Sequence, residues 1–115
     1  MKTTTTNVGL RFMQLDVYRV AREMVVRVGR LGLKDAELRT QATRAAASVL
    51  LNLSEGLPSR SAALRGRYFT TARGSAYEVA AAVDAAGALG LADSTAVSEI
   101  LALCDRVSAM LYRMR

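Results

Sequence analysis

Apolar residues recur three and four positions apart along most of this chain, in four stretches set off by short breaks. That period places them on one face of a helix. The first stretch runs from about Phe12 to Leu31, with Leu15, Tyr18, Ala21, Met24, Val28 and Leu31 on its stripe and Gly32 as its stop. Arg19, Arg22, Arg27 and Arg30 fall largely off that stripe. The second runs from about Asp35 to Gly56. Asp35 and Glu37 occupy its first turn, where the helix dipole favours anions. Leu38, Ala42, Ala46, Val49 and Leu53 form its stripe, and Gly56 and Pro58 end it.

The third stretch runs from about Ser61, a good N-cap, to Leu89. Phe69, Ala72, Ala76, Val79, Val83 and Ala86 form its seam, and its small residues admit a close neighbour. The fourth runs from about Thr95 to Met114, capped by Asp93, Ser94 or Thr95, with Val97, Leu101, Cys104, Val107, Leu111 and Met114 on its seam. This pattern predicts an all-α fold. Short connections make neighbouring helices antiparallel, so the economical architecture is an up-down-up-down four-helix bundle. One domain over residues 12–115 follows, with residues 1–11 as a flexible tail.

Composition agrees with helices: 51% of residues are apolar, and there is one proline. The absence of histidine removes the usual acid–base and metal-ligating side chain, including the Glu-x-x-His pairs of di-metal bundles. No nucleophile–base pair is visible, so no catalytic residue, metal or cofactor is expected. Cys104 is the one cysteine and lies on the seam of the fourth helix, where core packing accounts for it. The opening residues lack the apolar core of a signal peptide, and no stretch approaches the roughly 18 apolar residues of a membrane span. A reduced, cytoplasmic setting is expected, with no membrane partner.

Charge changes the picture. The net charge is +6, and fourteen of the sixteen cations are arginine, the side chain whose planar fork suits phosphate. No acid occurs between Gly56 and Tyr77, a window holding Arg60, Arg65, Arg67 and Arg73, with Tyr68 beside them. Cations with a ring able to stack are the ingredients of a nucleic-acid surface, and these five residues are the candidates.

A second constellation is polar. Gln41, Arg44, Ser48, Asn52 and Glu55 line one side of the second helix at about 100° per residue. With equal rise along two antiparallel helices, Arg44 comes level with Gly74 and Ser75, about one turn from Glu78. Asn52 comes level with Arg65–Arg67, and Glu55 with the start of the third helix. A carboxylate in a last turn opposes its own dipole, so Glu55 is expected to bond to the next helix start or to Arg60 or Arg65. Arg44, Ser48, Asn52, Glu55, Ser75 and Glu78 are read as a structural polar network.

The segments "RAAASVLLNLSEG", "RS", "YFTTARGSAYE" and "AGALG" together resemble the four-helix-bundle family encoded by intervening sequences in bacterial 23S rRNA genes. Arg44, Ala45, Ala46 and Ser48 match its first motif; Asn52, Glu55 and Gly56 its second; Arg60 and Ser61 its third; Gly74, Ser75 and Glu78 its fourth. The resemblance extends from about Phe12 to Arg113. Pro58 departs from an expected polar or basic residue, and Leu64, Arg65 and Gly66 replace an acidic one. The resemblance implies a ring-like homopentamer without enzymatic activity. It also implies a nucleic-acid partner, either structured RNA or DNA. A similar bundle is the accessory subunit of reverse transcriptases in diversity-generating retroelements. A protein-interaction scaffold, or a reverse-transcriptase accessory subunit, is therefore the alternative. Leu50, Leu51 and Leu53 cover more of the second helix than one seam needs, which fits oligomerisation.

Overall fold

Leu15 interrupts the first predicted helix. In the computed structural model, which describes residues 10–114, a 3₁₀ turn spans Arg11–Gln14, and Leu15 is extended (ψ 144°) before α1 begins. Helix α1 spans Asp16–Arg30, α2 Ala36–Gly56, α3 Ala62–Ala88 and α4 Ser94–Met114. The expected start at Phe12 is thus four residues early. The Phe12 ring instead packs edge-on against Tyr18, with centroids 5.4 Å apart. The expected tail, residues 1–11, lies outside the described residues except for Leu10 and Arg11, which enter the 3₁₀ turn.

Local chemistry sets the other ends. Asp35 Oδ1 accepts from Leu38 N–H at 2.9 Å, Ser61 Oγ from Leu64 N–H at 3.2 Å and Asp93 Oδ2 from Ala96 N–H at 2.9 Å. Each satisfies a donor that a helix start leaves open. Gly90, at φ 73°, closes α3, and Leu91 N–H bonds back to Ala86 C=O at 2.8 Å.

Gly56 works differently. It is the last residue of α2 and is buried, and the chain continues helically into Leu57 at φ −59°. A Cβ on Gly56 would stand 2.9 Å from both Phe69 Cε1 and Tyr68 Cβ. The glycine lets α3 lie directly against the α2 backbone; the chain turns only after it.

No strand occurs among the described residues, and the four helices form a helical bundle. Helix α1 packs on α2 and α4, and α3 packs on the same two. Most of the core comes from the predicted stripes, with Met24, Leu53 and Leu111 fully enclosed, but on α4 the enclosed residue is Ile100, while Leu101, expected on the seam, is half-buried. Alanines crowd α2 and α3: Ala42, Ala46, Ala72 and Ala76 have essentially no exposed surface, and Ala45, Ala82 and Ala85 line the groove between the two helices. Leu15 and Met114, expected on the stripes, are 45% and 41% exposed, because both sit at the end of the bundle where the helices run out.

Candidate functional site

The polar strip of α2 divides when placed against α3. Ser48 Oγ and Ser75 Oγ share a hydrogen bond of 2.8 Å. Asn52 Nδ2 donates to the Ser48 carbonyl at 2.8 Å and to Ser48 Oγ at 3.1 Å. Ser48, Asn52 and Ser75 therefore make one connected network. Arg44 and Glu78 line an adjoining groove of about 570 Å³, with Gln41, Leu38 and alanines of both helices.

The register differs from the expectation by about one turn. Ser48, rather than Arg44, meets Ser75, and Gly56 meets Tyr68 and Phe69. The equal-rise argument placed the reversal midway in the connecting loop. The contact at Gly56 instead carries α3 residues 62–67 past the end of α2, about 9 Å of helix at about 1.5 Å per residue. Glu55 directly precedes Gly56 in α2. It is exposed and makes no hydrogen bond or ion pair among the described residues, so the expected bond to the next helix start is not formed. Arg65 fastens the corner instead, donating from Nη1 to the Ser59 carbonyl at 2.8 Å.

The arginines of the acid-free window do not share one face. At about 100° per residue, Arg67 lies about 160° and Arg73 about 80° around α3 from Arg65. Arg65 is folded onto the turn, while Arg67 and Arg60 are exposed. Tyr68 is half-buried against Gly56. Arg60, Arg65, Arg67 and Tyr68 thus gather at the projecting end of α3, and Arg73 leaves them for α4.

There Arg73 enters a cluster the sequence did not announce. Its guanidinium lies 4.9 Å from the Tyr112 ring centroid and 5.9 Å from that of Tyr77. Arg73 Nη2 donates to Tyr77 Oη at 3.1 Å, and Ser108 Oγ donates to the same oxygen at 3.0 Å. Those two donors, Ser108 first, lower the Tyr77 pKa by favouring its ionised oxygen. Tyr112 and Ser108 lie one turn apart on α4, and that spacing was the available hint.

The remaining titratable feature is inert. Cys104 is buried with its Sγ 3.6 Å from Met24 Sδ, and burial pushes its thiol up to about 11. No cluster of His, Cys, Asp or Glu suited to a metal occurs among the described residues. No helix there is long and apolar enough to cross a membrane.

The sequence profile of the family described as 23S rRNA-intervening sequence protein matches residues 13–113 of this chain. No curated protein matches the chain significantly.

Proposed function

Given that the chain belongs to the 23S rRNA-intervening sequence protein family, we propose that it is a non-enzymatic, homo-oligomeric, cytoplasmic protein that binds nucleic acid, with structured RNA as the ligand. The observation that carries this reading is the projecting end of α3. Arg65 and Arg67 lie on it and Arg60 on the turn before it, in a stretch free of acids, on a chain of net charge +6. Phosphate contacts of this kind supply affinity without sequence information. An oligomer multiplies a weak site into a strong one.

The subunit is an antiparallel up-down-up-down bundle in this reading. Its support is the opposed numbering of contacts: Ser48 with Ser75 and Gly56 with Phe69, Met24 with Cys104 and Arg27 with Glu99, Tyr77 with Ser108 and Gly87 with Val97. Assembly is supported by Leu51, which is 65% exposed and lines an apolar groove with Phe12, Met13, Val25 and Leu50. A ring of five subunits is the assembly implied by the family resemblance.

The same apolar groove favours a second reading, a scaffold for another protein such as a reverse transcriptase. One experiment separates the two. Nuclease-treated protein is titrated with a structured RNA across a salt series while its mass in solution is measured. Affinity that falls steeply with salt, in an oligomer, supports the RNA-binding reading. Absence of binding at low salt overturns it in favour of the scaffold.

A further inference from the structure

Among the described residues Arg73 has no ion-pair partner, and it stands in a partly dry place. Its Nε is shut off from solvent and has no hydrogen-bond partner. No carboxylate among the described residues lies within ion-pair distance of it. Asp105 of α4 acts electrostatically on Tyr77 but does not pair with Arg73. A partly desolvated guanidinium with no anion is costly, and the two tyrosine rings offset that only in part.

The rings are themselves unusual. The chain has four tyrosines and no tryptophan, and Tyr77 and Tyr112 are 56% and 50% exposed. The hydrogen bonds from Ser108 and Arg73 to the Tyr77 hydroxyl fix that ring from two helices. The cluster therefore offers a guanidinium with no ion-pair partner among the described residues beside two half-open aromatic rings, that of Tyr77 held in place. An unpaired nucleotide carries a phosphate anion for the guanidinium and a flat base that can stack on an exposed ring. An acidic peptide supplies the anion but no flat ring to stack. Bases inside a duplex are stacked on one another and cannot reach the rings.

We infer that Tyr77, Arg73 and Tyr112 form a seat for an unpaired nucleotide of RNA, its base stacked on a tyrosine ring and its phosphate on the outer nitrogens of Arg73. The inference rests on the RNA-binding reading above and narrows it to single-stranded segments, such as the loops of a structured RNA. The phosphate contacts at the projecting end of α3 position the strand, and this seat selects for its being unpaired.

The test uses the full chain and fluorescence anisotropy of labelled oligoadenylate, set against the duplex of the same strand with oligouridylate. Polyglutamate of matched charge serves as competitor. Two double variants are compared, Tyr77→Leu with Tyr112→Leu, and Tyr77→Phe with Tyr112→Phe; thermal melting verifies that both are folded. Oligoadenylate is expected to bind more tightly than the duplex, to lose roughly tenfold or more in affinity with the leucine pair, and to be held within about twofold by the phenylalanine pair. Leucine variants that bind oligoadenylate like the parent overturn the inference, as does a parent that prefers the duplex; in either case RNA binding itself stands. Polyglutamate competing on equal terms also overturns it and points to an acidic protein partner. Failure of both RNA forms to bind overturns the RNA-binding reading together with the seat.

Discussion

Ser48 of α2 and Ser75 of α3 meet hydroxyl to hydroxyl at 2.8 Å, and Asn52 closes the arrangement by donating to Ser48 twice. Ser75 is buried, so its hydroxyl depends on that partner. Ser48→Ala is expected to cost about 1–2 kcal/mol, since it leaves Ser75 short of a bond and Asn52 with one acceptor fewer. Glu55→Gln, by contrast, is expected to change stability by less than about 0.5 kcal/mol, because the exposed carboxylate holds nothing. Urea denaturation of the two variants reads the difference directly. A larger loss in the Glu55 variant would reverse the roles given to these residues.

Two glycines predict opposite outcomes for one substitution. At Gly56 an added methyl stands 2.9 Å from Tyr68 Cβ, an atom fixed to its backbone, so Gly56→Ala should destabilise by about 1–3 kcal/mol. At Gly74, inside α3, a Cβ meets nothing within 4 Å. Gly74→Ala should stabilise by about 0.5–1 kcal/mol through the restricted unfolded chain and better helix propensity. Paired thermal melts of the two variants decide this.

Cys104 should stay unreactive toward an aromatic disulfide reagent in the folded protein and react fully once it is denatured, because it is buried. The same burial predicts a pH dependence. Its pKa rises from 9.0 in the ordinary thiol to about 11 in the fold. Above the lower value the unfolded chain releases the proton while the native chain keeps it, so this group's contribution to stability falls as pH climbs through that interval. Denaturation of the parent and of Cys104→Ala across pH 8 to 11 checks it: the difference between the two should narrow at the alkaline end.

Arg65 and Arg67 should differ as targets in the RNA titration. Arg67 is exposed and its guanidinium makes no hydrogen bond or ion pair among the described residues, so Arg67→Glu is expected to weaken binding across RNA sequences without lowering the melting temperature. Substituting a neutral residue there should reduce the slope of log affinity against log salt by about 1. Arg65→Glu also removes the bond to the Ser59 carbonyl and should lower the melting temperature as well. Equal melting losses in the two variants would contradict the structural part given to Arg65.

The elements were legible because their signals are local. The stripes of α2 and α3, the Ser61 cap, the acid Asp35 at the start of α2 and the choice of caps from Asp93 to Thr95 each involve residues within a turn or two of one another. Leu15 misled because it fits the apolar period of α1, while its extended backbone follows from the 3₁₀ turn and the packing of Phe12 on Tyr18. The register of α2 on α3 was out of reach for a different reason. It is set by how closely Gly56 admits Phe69, a steric fact of two separated segments. The acid-free window was readable as a count, but a count of cations ignores their angles around the helix. The Arg73 cluster was hidden because its members come from different helices.

The alanine seam between α2 and α3 has a mechanical consequence. Small side chains such as Ala45, Ala82 and Ala85 offer little steric resistance to a slide of one helix along the other. Such a seam offers closeness but almost no sense of place. The serine pair acts as a detent on that track, since a one-turn slip would leave Ser48 facing Ala72 or Val79, neither of which carries a hydroxyl. The projecting end of α3, and everything displayed on it, stands at a fixed height above the bundle because the Gly56 contact with Phe69 and two small hydroxyls together lock the slide at a single position.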